Sequence, residues 1–194
     1  MSPFTNRRTD NWGGPLENRL RLHYEILRAI RSRVGKDYPV LIKLGVADGF
    51  PEGLEFQEGK LAALALAQEG YDALEISSGL RGKGYGNTEF KTGINRPERE
   101  AYFRNWCQEI KPAVNVPVIM VGGLRTPGLL EEVLQNQEAD LISLSRPLIK
   151  EPGLIKDWQN GDLHRATCIS CNKCFEALLK GEKLRCIYHQ ETGR

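Results

Sequence analysis

Apolar residues recur along this chain in two alternating rhythms, one of three- and four-residue steps and one of short unbroken runs. Over residues 15–34, Leu16, Leu20, Tyr24, Leu27, Ile30 and Val34 keep the helical step, which predicts an amphipathic helix ended by Gly35. Residues 39–44 then read Pro-Val-Leu-Ile-Lys-Leu, a β-rich run charged only at Lys43, as expected of a parallel strand buried on both faces. A second helix is predicted over 54–68, with Leu61, Leu64 and Ala65 on its core face and Gly70 as its stop. The short strand Ala73–Ser77 follows it.

A long polar loop over 78–96 carries Gly79, Gly82, Gly84 and Gly86, the length and composition of a functional loop. Helical spacing resumes over 97–111 through Tyr102, Phe103, Trp106 and Ile110, and 117–121 is another buried-strand run. The unit repeats with a helix over Pro127–Gln135 and a strand over 139–144. Strands alternating with helices of this size imply a parallel sheet with right-handed crossovers, either an open doubly wound sheet or part of a barrel.

Composition narrows the class without changing this picture. Forty per cent hydrophobic and 27% charged residues over 194 positions suit one well-buried soluble domain. A net charge of +2 with both signs interspersed gives no basic face for nucleic acid or an anionic membrane. No apolar run approaches the roughly 20 residues that span a bilayer, so a cytoplasmic location is the expectation. Cys107 stands alone on an aromatic helix face and reads as core. Cys168, Cys171, Cys174 and Cys186 crowd into one segment, which argues for metal or redox chemistry over a dispersed disulfide framework.

Polar and glycine-rich residues lie just beyond the strands' C-terminal ends, where both candidate folds keep their sites. After 117–121 comes Gly122-Gly123, then a helix opening at Pro127; after 139–144 comes Ser145-Arg146. Paired glycines admit an anion to backbone N–H groups, a helix N-terminus adds its dipole, and an arginine grips phosphate oxygens in a fork. The plain alternative for the glycines is a tight turn. Lys43, near the end of an apolar strand, must find an acceptor, either a ligand such as the N1/O2 edge of a flavin or a carboxylate such as Glu75. The CxxCxxC run with a distant fourth cysteine suits a [4Fe–4S] cluster or a four-thiolate zinc. His23, His164 and His189 receive no catalytic role; Arg7, Arg8 and Asp10 could cap the first helix.

The opening stretch from Ser2 to Arg19, Ser-Pro-Phe-Thr-Asn-Arg-Arg-Thr-Asp-Asn-Trp-Gly-Gly-Pro-Leu-Glu-Asn-Arg, closely resembles the segment after the fourth strand in the old yellow enzyme family of FMN oxidoreductases. With Lys43, the Val121-Gly-Gly turn, the Arg146 turn and the cysteine tail, the resemblance covers nearly the whole chain. It implies the C-terminal half of a TIM (β/α)₈ barrel, strands five to eight, over 1–160, with a cysteine-rich segment over 161–194. The tail is similar to that of the iron–sulfur branch holding dienoyl-CoA reductase and trimethylamine dehydrogenase. The resemblance further implies that Lys43 contacts the flavin ring, that Gly122, Gly123, Ser145 and Arg146 hold the FMN phosphate, and that Cys168, Cys171, Cys174 and Cys186 bind the cluster.

The same resemblance places the proton-donor motif and the first four strands ahead of Met1, which leaves the catalytic residues unassigned. The expected activity of the parent enzyme is hydride transfer from NAD(P)H to a small unsaturated carbonyl compound. A half-barrel would need the missing half or an oligomer partner to cover its strand edges. The rival reading is a non-catalytic half-barrel that binds a phosphorylated ligand or a partner chain and carries structural zinc; a sugar-phosphate aldolase barrel has only Lys43 in its favour.

Overall fold

The structure, a computed structural model, describes residues 1–82, 86–87 and 91–188, with backbone alone at 81, 82, 86 and 87. Gly84 and His189 lie outside the described residues. Helix α1 (Leu16–Val34) buries Leu20 and Leu27 and turns Tyr24 and Ile30 to the same core, while Val34 at its end is exposed. Asp10 does not cap this helix. It pairs with Arg8 and accepts the Trp12 amide at 3.1 Å, which closes the turn leading into the helix.

Strand β1 (Leu41–Gly45), helix α2 (Phe56–Glu69) and strand β2 (Ala73–Ser77) complete the next unit. The core face of α2 differs from the expected one. Leu61 is 59% exposed, and the buried stripe is Ala62, Ala63 and Leu66. A Cβ on Gly59 would come within 1.9 Å of the Val46 carbonyl oxygen, so α2 meets the strand-end backbone on its small-residue side. Leu61 is thereby turned outward. Buried Arg19 of α1 pairs with Glu58 of α2, locking the two helices together.

The long loop contains a small antiparallel ribbon, β3 (Arg81–Gly82) with β4 (Gly86–Asn87). The helix expected over 97–111 is broken. A 3₁₀ turn at Pro97–Arg99 is followed by an irregular stretch, and α3 spans only Arg104–Ile110. Ala101 has φ +48°, and the Tyr102 amide donates to the Gly122 carbonyl at 3.2 Å, so Tyr102 and Phe103 are held on a neighbouring turn ahead of the helix. Then come β5 (Val118–Met120), α4 (Pro127–Gln135), β6 (Leu141–Ile142), α5 (Arg146–Lys150), α6 (Leu154–Gln159) and α7 (Lys173–Leu179).

The parallel sheet runs β1-β2-β5-β6, in chain order without reversal. Right-handed crossovers that always advance in one direction put all their helices on one face, whereas a doubly wound sheet reverses at a switch point. The order therefore decides between the two readings: the sheet is a four-stranded arc of the (β/α)₈ type. Leu44, Leu74, Ile76, Val118 and Met120 face the helices and are 2% exposed or less. Each contributes about 1.5–3 kcal/mol through burial.

The opposite face is exposed along β1 and β6, with Ala73 and Ile119 buried between them, which corrects the expectation that β1 is buried on both sides. Leu41 and Leu141 are each 51% exposed, and Lys43 is exposed with them. One device recurs across the arc. Asp72 accepts the Val40 amide at 2.6 Å and Asp140 accepts the Val118 amide at 2.7 Å, so the residue before one strand anchors the start of its neighbour. The Val40 bond and the Arg31 guanidinium hold the Asp72 carboxyl below its ordinary value. Among the described residues no helix is long and apolar enough to cross a membrane.

Candidate functional site

A cleft of about 440 Å³ opens at the C-terminal ends of the strands. Lys43, Ser77, Tyr102, Val121, Ser145 and Arg146 line its strand side, and Cys174 and Phe175 of α7 close it from the cysteine segment. Its size is that of a small-molecule or cofactor site. The elements place these residues in a simple way. Each parallel strand ends at the same rim, so whatever follows a strand in sequence lines the same opening.

Arg146 opens α5 and donates to the Lys91 carbonyl at 2.8 Å and to the Asn172 amide oxygen at 2.7 Å. It thus stands between the strand ends and the cysteine segment. Helix α5 is a single turn, so the positive charge here comes from the side chain more than from a helix dipole. Gly122 and Gly123 have φ +122° and +77°, values that side-chain-bearing residues seldom adopt. Among the described residues none accepts a hydrogen bond from their amides or from that of Ser145. Of the three, Ser145 lines the cleft and the two glycines do not.

The close approach to the glycines, however, is made by an aromatic ring. A Cβ on Gly123 would lie 2.8 Å from the Tyr102 ring, and one on Gly122 would lie 2.9 Å from Phe103. Tyr102 itself forms the cleft wall and carries Lys91 over its face at 4.7 Å. Burial raises the Tyr102 phenol above its ordinary value, against the opposing charges of Arg146 and Arg125. Spacing alone gave no sign of Tyr102 here, because it fell within a predicted helix.

Lys43 lines the cleft but is not a buried lysine. It forms an ion pair with Glu75 on β2, whose other oxygen meets the Ser143 hydroxyl at 3.4 Å. The register sets this up directly, since Lys43 and Glu75 are paired positions on adjacent strands. Both acceptors weighed from the sequence are thus within its reach, the carboxylate by contact and a cleft ligand by position.

Cys168, Cys171, Cys174 and Cys186 line a second, small cavity of about 20 Å³ together with Arg146 and Ser170. Cys174 borders both cavities. Burial raises the Cys174 thiol, and the other three cysteines add to the rise. Among the described residues no three His, Cys, Asp or Glu side chains converge closely enough to hold a single ion. Cys107 is fully buried in the core, and burial pushes its thiol up to about 12.

Two further residues went unseen in the sequence. Arg125 is fully buried and donates to the carbonyls of Gly123 at 2.5 Å and Cys168 at 2.6 Å. The Glu100 side chain is also fully buried and accepts from the amides of Arg125 and Thr126 and from Arg165. A lone arginine in a turn and a glutamate in a polar loop look like solvated residues until the fold packs a second segment over them.

The fold is a partial (β/α)₈ barrel with a cleft at the C-terminal ends of its strands. The model of the NADH:flavin oxidoreductase / NADH oxidase family matches residues 1–163, and the chain belongs to that family. It is 36% identical to an NADH oxidase of Thermoanaerobacter brockii, over all of this chain and 30% of that protein. A 2-naphthoyl-CoA reductase superposes with a TM-score of 0.83 at 29% identity, over 95% of this chain and 28% of that one. An old yellow enzyme homologue from Zymomonas mobilis shares the fold, with a TM-score of 0.59 at 22% identity over 83% of this chain and 42% of its own. The chain spans less than a third of the first two relatives.

Proposed function

We propose that this chain holds the phosphate end of FMN and a [4Fe–4S] cluster within an oxidoreductase that passes hydride from NAD(P)H to an activated C=C. The observation that carries the reading is Cys174, which borders both the strand-end cleft and the cavity shared by the four cysteines. Arg146 and the amides of Gly122, Gly123 and Ser145 would hold the phosphate, while Lys43 would stand as a cation against the ring. FMN, when bound, supplies two-electron chemistry that links a nicotinamide to an unsaturated acceptor. The side chains here bind and orient; a proton donor is not among the residues assigned.

The CxxCxxC run with a fourth cysteine after eleven intervening residues suits a [4Fe–4S] cluster, and a four-thiolate zinc is the alternative that the test below separates from it. Residues 1–160 would then be the flavin-binding part of a barrel and 161–194 its cluster segment. Free cysteines throughout suit the reducing cytoplasm. Alone, the 194-residue chain should bind FMN weakly and turn over no substrate.

The test is anaerobic purification, iron and acid-labile sulfide analysis, and an absorption spectrum recorded as FMN is added back. A broad brown absorption with iron and sulfide in the purified protein, and weak saturable binding of the added FMN, is the expected result. A colourless protein that contains zinc and takes up no FMN would overturn the reading. Family-like enone reduction by the chain alone would overturn its partial character.

A further inference from the structure

Arg125 is the largest of the fully buried side chains, and neither the phosphate site nor the cysteine ligation uses it. It lies in the turn between β5 and α4, two residues after Gly123. Its guanidinium donates to three neutral acceptors: the Gly123 carbonyl at 2.5 Å, the Cys168 carbonyl at 2.6 Å and the Ser170 hydroxyl. The Ala166 amide returns a bond to the Arg125 carbonyl at 3.1 Å, so turn and cysteine segment are joined by main chain as well.

Among the described residues no carboxylate accepts from that guanidinium. The nearest acid in the network, Glu100, accepts the Arg125 amide at 2.8 Å, the Thr126 amide at 3.0 Å and the Thr126 hydroxyl at 2.9 Å. Its charge is already matched by Arg165 at 2.7 Å. Arg146 and Lys150 line the cavity that the four cysteines share, and Arg125 is tied to two of its lining residues, Cys168 and Ser170. A buried guanidinium with only neutral partners is costly to hold, and the cost is offset when an anion shares the low-dielectric space. Four thiolates around a cluster are such an anion.

We propose that Arg125 is a positioning residue with an electrostatic role. It ties the Gly122-Gly123 turn to the Cys168 and Ser170 backbone and supplies the buried counter-charge that makes a thiolate-bound cluster easier to reduce. The inference rests on the cluster reading above. Reduction adds one electron and makes or breaks no bond; the electron comes from reduced flavin in the enzyme and from dithionite in the test. A fixed positive charge favours the more negative, reduced state.

The experiment is a mediated redox titration of the anaerobically purified protein, followed by EPR of the reduced cluster, with iron and sulfide measured on every sample. Wild type is compared with Arg125→Gln and Arg125→Lys. In Arg125→Gln the reduced-to-oxidised ratio at the wild-type midpoint should fall about tenfold, which is 59 mV for a one-electron couple. Arg125→Lys, which keeps the charge and loses the fork, should stay near wild type. Full iron content with an unshifted midpoint in Arg125→Gln would overturn the proposal. If Arg125→Gln assembles no cluster, Arg125→Lys decides: a cluster at the wild-type midpoint supports the charge role, and a lost or strongly shifted one refutes it. Wild type without iron and sulfide would sink the cluster reading itself, a result distinct from a cluster indifferent to Arg125.

Discussion

Gly123 carries two constraints at one atom. Its φ of +77° disfavours any side chain, and a Cβ would meet the Tyr102 ring at 2.8 Å. Gly123→Ala should therefore destabilise the chain by about 1–2 kcal/mol from the left-handed backbone alone, with the ring contact adding to it. Thermal denaturation of Gly123→Ala, Tyr102→Ala and the double variant separates the two terms. The double variant should recover the ring's share and leave the backbone's, a coupling that simple additivity would exclude. Arg146 is tested by ligand comparison. A guanidinium on phosphate is a charge-assisted grip of about 1.5–3 kcal/mol, so Arg146→Ala should weaken FMN roughly tenfold to a hundredfold. Riboflavin, which lacks the phosphate, should be little affected. Equal losses for both in a fluorescence titration would show that Arg146 holds structure and not phosphate.

At the scale of elements, α2 gives the sharpest contrast. Leu66 is fully buried and Leu61 is 59% exposed, so Leu66→Ala should cost about 2–5 kcal/mol and Leu61→Ala less than about 0.5 kcal/mol in denaturant melts. The reverse order would mean that α2 presents the face its leucines suggest. That face misled because residues 61–67 are apolar without a break, and the choice falls to Gly59 packing on Val46, a contact 13 positions away that periodicity does not see. The strands were legible because β-rich runs bounded by turns need no tertiary knowledge. The break in the helix over 97–111 was not, because Tyr102 leaves helical spacing to bond Gly122. The strand-end positions of Ser145 and Arg146 could be read from order alone; the burial of Arg125 could not, since its partners arrive from a segment some 40 positions on.

That later segment is fastened after α6 by a clip open to titration. Glu151 meets His164 at 2.9 Å and accepts the Thr167 amide at 2.7 Å, one residue before Cys168. The Glu151 bond, with help from Asp162, raises His164 above its ordinary 6.5. Burial works against the Glu151 carboxylate, but the Thr167 and His164 bonds outweigh it and hold it below 4.5. The histidine's share of stability is full below pH 6.5 and is lost as pH rises through its folded value. The glutamate's share is present above pH 4.5 and is lost as pH falls through its folded value. The clip is complete between about pH 4.5 and 6.5. The pair is partly exposed, so the melting temperature should fall by no more than about 2–4 °C from pH 6 to pH 8.5. His164→Gln should flatten that change, and an unchanged slope in the variant would remove the clip from the account.

At the scale of the whole molecule, helices cover one side of the sheet, and the other is exposed along both edge strands. Helices bury Leu74, Ile76, Val118 and Met120, while Leu41 and Leu141 on the other face are each 51% exposed around the Lys43–Glu75 pair. Strands β1 and β6 are edges with backbone groups available for pairing. Parallel strands are found almost only with both faces covered, so this surface calls for an occupant, whether further strands of a barrel or a second copy. The face mixes a polar pair with apolar rims, which permits association without dictating indiscriminate aggregation. Sedimentation of the chain should therefore show concentration-dependent self-association. Leu41→Glu with Leu141→Glu should shift it to monomer, because both substitutions lie on the uncovered face and leave the helix-facing core intact. A chain that stays monomeric at every concentration would show that this face is stable in water as it stands, and the need for a covering partner would fall with it.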